Sequence, residues 1–224
     1  MISKEKKLIS LMPPKTASNS IKQTLENNGV TFSIPIGKKI VPKIHLKLDE
    51  IVDLFDLDTL SNYKIFQIVR NPYHRFVSSY YHQMRTSAIR RNIKFVGYDL
   101  NQFTNHLYNS KKSDNFLEEF YGDTSSVYEN INSGKNWGGS RLFDTQTSWK
   151  NIDCDVKYFK LEDVKNDISP VGEFLELPLT SLDTVNVGPK VLSYSDLINS
   201  EIKEIIDEIF NDDFINFDYK KTLT

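Results

Sequence analysis

Apolar residues along this chain gather into short runs in some places and recur at helical spacing in others. Lys7 to Met12 (KLISLM) is a short apolar run that stops at Pro13-Pro14, the pattern of a buried strand entering a loop. From Ser18 to Asn28 the period changes: Ile21 and Leu25 stand four apart, Ser18 or Asn19 can cap the start, and Gly29 suits the position just past a helix end. A short extended piece is expected at Val30 to Ile34, followed by a loop rich in Pro and Lys. Leu48, Ile51, Val52 and Phe55 then recur at helical spacing. Tyr63 to Val69 (YKIFQIV) is the strongest strand pattern, and it runs into Arg70-Asn71-Pro72, where Asn71 can cap and Pro72 can open a helix through Phe76, Val77, Tyr80 and Met84.

The stretch from about 86 to 150 is polar and aromatic with weaker periodicity. It reads as short helices and loops, including Asn101 to Leu107 and Asn115 to Phe120. Val156 to Leu161 (VKYFKL) returns to strand character. Val164 to Leu175 reads as one helix, and Glu201 to Phe210 as another, with Ile202, Ile205, Ile206 and Ile209 as its apolar stripe. Strands alternating with helices predict a single α/β domain, residues 1–224, with a central, mostly parallel sheet flanked by helices. Within it, about 86–150 is expected to be a variable insertion.

Composition narrows the function classes. Lys and Arg number 28 against 30 Asp and Glu, so the basic excess of a general nucleic-acid binder is missing. The lone Cys154 rules out an intrachain disulfide, and no cysteine cluster suggests a metal. No run approaches the roughly 18 apolar residues of a membrane span, and Leu8 to Met12 is too short for a signal-peptide core. The expectation is a cytoplasmic protein with no membrane or nucleic-acid partner.

Two strand-to-helix junctions carry candidate chemistry. Pro13-Pro14-Lys15-Thr16-Ala17-Ser18-Asn19-Ser20 lies between the first strand and first helix, where loop N–H groups and a helix start both favour anions. Lys15 adds a full charge, and Thr16, Ser18 and Ser20 add hydroxyls. The segment lacks the glycines of a triphosphate loop and of a dinucleotide fingerprint. Capping alone would also explain its Ser and Asn. At the second junction Arg70 stands where the strand ends, and Arg75 and Ser78, three apart, share a helix face. Arginine presents a planar fork of donors suited to phosphate. Two such junctions in one sheet suggest a ligand with two separated phosphate groups.

PKTASNS and VRNPYHRFVSSYY, in this order at two strand ends, resemble the paired donor-binding signatures of sulfotransferases that use 3′-phosphoadenosine 5′-phosphosulfate (PAPS). The resemblance is closest to the carbohydrate and heparan-sulfate 2-O-sulfotransferase branch. It extends to VKYFKLEDVKNDISPVGEFLELP, Asn186 and IKEIIDEIFNDDFINFDY, with the middle weakest. It implies a P-loop nucleotide-kinase-like fold and sulfuryl transfer from PAPS, with PAP as product and no metal. It also implies that Pro14, Lys15, Thr16, Ala17, Ser18, Asn19 and Ser20 surround the 5′-phosphosulfate, with Lys15 at the oxygen joining phosphate to sulfate. Arg70 and Ser78 then bind the 3′-phosphate, and Lys190 touches the nucleotide. His74 departs from the family, which often has an acidic residue there. The lack of the membrane anchor typical of Golgi members points to a bacterial or viral relative.

Sulfuryl transfer is an in-line displacement in which an acceptor hydroxyl must lose its proton, and histidine is the usual base. His45, in Ile44-His45-Leu46, stands where the 2-O-sulfotransferases carry theirs. Arg85, Arg90, Arg91 and Lys94 form a basic run suited to an anionic acceptor, and also to a solvated face. Arg141 and Gln146 fall where related enzymes line the acceptor cleft. The expected partner is a hydroxyl-bearing acceptor, an anionic or neutral glycan, held in part by Tyr80, Tyr81, Tyr98, Tyr108, Trp137 and Trp149 unless these are core. A kinase-like phosphotransferase and a catalytically silent nucleotide- or glycan-binding module are the alternative readings.

Overall fold

The computed structural model describes residues 1–33, 45–55, 57, 60–90, 97–113, 141–185 and 194–223. In chain order the elements are β1 (Ile2–Ser3), β2 (Leu8–Leu11), α1 (Ser18–Asn27), α2 (Leu48–Phe55), β3 (Lys64–Val69), α3 (Pro72–Arg90), α4 (Leu100–Lys111), β4 (Lys157–Lys160), α5 (Leu161–Val164), α6 (Ser169–Leu175), α7 (Ser200–Ile209) and α8 (Asn211–Asn216). These residues fall into two compact units, each built from two stretches of chain. The first comprises Met1–Asn71 and Gln146–Gly188, the second Pro72–Thr145 and Pro189–Thr224.

The first unit holds the sheet, in the order β1-β2-β3-β4. β1 runs antiparallel to β2, whereas β2, β3 and β4 are parallel. Leu8 faces Lys64, Leu11 faces Gln67, and Val69 faces Lys160. Side chains alternate between the faces. Leu8, Phe66 and Ile68 pack with Ile21 and Leu25 of α1 and with Val164, Val171 and Leu175 of α5 and α6. Ile9, Leu11 and Ile65 pack with Leu48, Ile51 and Phe55 of α2. Because both faces are covered, β2 and β3 read as mainly apolar runs rather than as alternating ones.

Most expected elements are present, and the differences have local causes. α1 ends as its glycine predicts: Gly29 has φ 81° and donates to Glu26, and Val30 donates to Leu25 at 3.0 Å, closing a Schellman turn. Val30 to Ser33 is not a sheet strand; Ser33 ties it down, its N–H donating to the Ile2 carbonyl at 2.8 Å and its Oγ accepting from Lys4 N–H at 3.0 Å. β1 carries too few residues to show a period. Of the helix expected over Val164 to Leu175, only Ser169–Leu175 forms as one, and Val164 closes α5. Asp167 accepts from Ser169 N–H at 2.9 Å, and Pro170, in the first turn of α6, has no N–H with which to carry a helix on from the residues before it. Val164, Ile168, Val171 and Leu175 still share one cluster, which is why the segment reads as continuous. The helix expected at Asn115 to Phe120 lies outside the described residues.

The second unit gathers α3, α4, α7 and α8 around Tyr73, Phe76, Phe103, Phe143, Ile206 and Phe210. α4 starts one residue before its expected Asn101, where Asp99 and Gln102 close a reciprocal capping box, and runs on to Lys111. Arg75, three residues from Ser78, is a core residue rather than a surface cation. It is 1% exposed, its Nη1 lies 3.9 Å from Asp213, and its Nη2 donates to the Leu142 carbonyl at 3.1 Å. Removing one partner of such a pair strands a buried charge, so Arg75→Ala should lower unfolding stability by about 3 kcal/mol in urea denaturation.

Tyr73 donates its phenolic hydrogen to Asp207, whose other oxygen accepts from Lys203 at 2.6 Å. Burial first, then the Asp207 hydrogen bond and charge, raises the phenol's pKa well above its ordinary value. The folded protein therefore keeps a proton that the unfolded chain releases above about pH 10, and stability falls as pH rises past that point. Urea titrations between about pH 9 and 11 should show a shallower decline for Tyr73→Phe than for the wild type.

Candidate active site

The parallel strands end on the same edge of the sheet, and the candidate residues of the first unit follow from those ends. Beyond β2 the loop turns sharply. Lys15 has φ 70° and Ala17 has φ 61° and ψ 31°, both in the left-handed region although neither is glycine. Each position costs roughly 1–2 kcal/mol, and strain of that kind persists where the surroundings enforce it. Here Pro13 helps enforce it, because its carbonyl accepts from Thr16 Oγ1 at 2.7 Å and from Ser18 Oγ at 3.1 Å. Left-handed residues alternating through a turn direct successive N–H groups toward one concavity, a form that suits an oxyanion. Pro14 is buried, Lys15 half-buried and Asn19 exposed, and Ser20 Oγ accepts from Val185 N–H at 3.2 Å.

Arg70 is the first residue past β3. Its Nη1 donates to the carbonyl of Lys15 at 3.1 Å, which joins the two expected cationic positions across neighbouring strand ends. Asn71 is anchored as well: its N–H donates to Glu162 Oε1 at 3.0 Å from the first turn of α5. One turn on stands Lys165, which the sequence reading did not single out. Its ammonium pKa is lowered, by lost hydration first and then by the Arg70 guanidinium, with Glu162 opposing. The position of LEDVK directly after a strand is the signal that could have marked it.

His45 precedes α2, and its Nδ1 lies 2.7 Å from the carbonyl of Met12, the residue just past β2. A carbonyl can only accept, so Nδ1 carries the hydrogen and the ring's lone pair is on Nε2. The ring meets Trp149 edge-on, with centroids 6.4 Å apart. Trp149 is wholly buried, which makes it a support for His45 and not a stacking surface for a sugar. Gln146, expected to line the acceptor cleft, is also wholly buried, and its side-chain amide is bound to the main chain of Arg70.

A profile of the sulfotransferase family matches residues 1–220. The chain belongs to the sulfotransferase family. Among solved structures it is similar to a sulfotransferase from Alicyclobacillus acidocaldarius, at 12% identity over 95% of this chain and 94% of that chain, with a TM-score of 0.46. No curated protein matches.

The remaining candidates of this sulfotransferase belong to the second unit or fall outside the described residues. Ser78 is half-buried on α3, Arg85 is exposed further along it, and Arg141 is half-buried near Leu142. Arg90 closes α3, and its side chain is outside the description, as are Arg91, Lys94, Trp137, Asn186 and Lys190. His74 stacks on Tyr194 at 4.1 Å, and His106 meets Tyr98 edge-on. Tyr80 donates to the Tyr98 carbonyl and Tyr108 to Glu208, while Tyr81 is exposed. No described helix is long and apolar enough to cross a membrane.

Thr16 is 1% exposed, so its hydroxyl serves the loop before it serves a ligand. Thr16→Val keeps the shape and removes the 2.7 Å bond to Pro13. Urea denaturation should show a loss of about 1 kcal/mol.

Proposed function

We propose that this sulfotransferase moves the sulfuryl group of PAPS to a hydroxyl of a carbohydrate acceptor, with His45 as general base. The observation that carries this reading is the 3.1 Å bond from the Arg70 guanidinium to the Lys15 carbonyl. It keeps an arginine fork and a lysine-bearing loop at adjoining strand ends. A donor with one phosphate on the 3′ carbon and a phosphosulfate on the 5′ carbon needs two such anion sites within one nucleotide's length. The loop's donors fit the phosphosulfate end: N–H groups turned by Lys15 and Ala17 and one ammonium, on a turn that the hydroxyls of Thr16 and Ser18 hold from the Pro13 carbonyl. The wider set of Pro14, Asn19, Ser20, Ser78 and Lys190 stays with this reading on the strength of the sequence signatures.

PAPS supplies an activated sulfuryl group whose bond to the 5′-phosphate oxygen breaks during transfer. His45 takes the acceptor's hydroxyl proton on Nε2, and the acceptor oxygen forms its bond to sulfur as the S–O bond to phosphate breaks. Lys15 meets the charge that collects on the departing phosphate, the point where a fixed cation lowers the barrier most. The Met12 carbonyl keeps the imidazole in the tautomer this role requires and stabilises the cation formed. The products are a sulfate ester and PAP. A carbohydrate acceptor, and an anionic one in particular, is supported by the 2-O-sulfotransferase resemblance and the basic run from Arg85 to Lys94.

Transfer of radiolabelled sulfate from PAPS to a panel of glycans tests the reading directly. His45→Ala should cut turnover by at least about 100-fold, the usual size of a lost general base, while PAP affinity by calorimetry stays within about threefold. Near-normal turnover in that variant would take His45 out of the mechanism. Absence of transfer by the wild type to any hydroxyl acceptor would count against the reaction itself.

A further inference from the structure

Arg70 lies one residue past the end of β3. β3 pairs with β2 as far as Gln67, opposite Leu11, and with β4 as far as Val69, opposite Lys160, so Arg70 lies just past both ladders. Gln146 meets its main chain there with a side chain: Oε1 accepts from Arg70 N–H at 2.8 Å, and Nε2 donates to the Arg70 carbonyl at 2.9 Å. Gln146 is itself fixed, since its own carbonyl accepts from Gln67 Nε2 of β3 at 2.8 Å and from Trp149 N–H at 3.3 Å. The residue is 0% exposed, so no water competes for either bond.

We propose that Gln146 is a positioning residue for nucleotide recognition, setting the Arg70 main chain so that its guanidinium serves the 3′-phosphate. This rests on the PAPS reading above. A primary amide offers a donor and an acceptor on a single planar fork whatever the pH, and so matches the N–H and the carbonyl of one residue together. An ionised glutamate would set a carboxylate oxygen against the Arg70 carbonyl, and asparagine is one methylene too short. The bond from Arg70 to Lys15 carries the positioning on to the phosphate loop. A buried glutamine between two strand ends thereby becomes a specificity determinant without touching the ligand.

The test compares PAP with adenosine 5′-phosphate, which differ only by the 3′-phosphate, using calorimetry on the wild type, Gln146→Leu and Gln146→Glu. Loss of two hydrogen bonds of ordinary strength should reduce the preference for PAP by about tenfold in Gln146→Leu, with adenosine 5′-phosphate affinity within about twofold of wild type. Gln146→Glu keeps the volume and should lose at least as much of the preference as pH rises and the introduced carboxyl ionises. A role confined to stability would lower the melting temperature and leave the ratio alone. An unchanged ratio in a folded variant, or failure of both variants to fold, overturns the proposal. If the wild type does not distinguish the two nucleotides, the PAPS reading fails. If it does and the variants do too, only the role of Gln146 fails.

Discussion

One hydrogen bond, from the guanidinium of Arg70 to the carbonyl of Lys15, connects the two ends on which the candidate site is built. It is available because β2 and β3 are parallel neighbours in a fixed register, so the residues leaving each strand emerge on the same edge. A charged donor on a neutral acceptor is stronger than an amide pair, and this one spans fifty-five positions of chain. The loop's left-handed turns, the placement of Met12 against His45, and the amide clamp on Arg70 all belong to the same strand ends.

The loop shows how a phosphate-type turn can be made without glycine. A triphosphate loop obtains its inward N–H groups from residues that adopt positive φ at no steric cost. This chain puts Lys15 and Ala17 in that region and offsets the strain with two hydroxyls gathered on the Pro13 carbonyl. The turn is thus held by two buried hydroxyls, and a cationic residue occupies the turn itself.

The chain's sequence discloses its regular elements well and its tertiary polar contacts poorly. β2, β3, α1, α3 and α7 were legible because each buries an apolar run or stripe of its own. Lys15 and Arg70 were legible because a cation at a strand end has few structural uses. Arg75 misleads: its spacing from Ser78 suggests a ligand face, but it is neutralised by Asp213, far along the chain, and no local pattern reports that pairing. Gln146 and Trp149 sit in a stretch without periodicity, so their burial follows from the strand ends they cover. The tautomer of His45 depends on one carbonyl thirty-three residues away.

The first unit is interrupted, and this shapes how the chain can assemble during synthesis. β4 is made only after the stretch Pro72–Thr145 has left the ribosome, so the far edge of β3 stands unpaired in the interim. At ordinary translation speeds that interval is roughly 5–18 seconds, far longer than local helices need to form. Open strand edges are where chains join wrongly. The nascent protein thus carries an aggregation hazard at the strand that later presents Arg70.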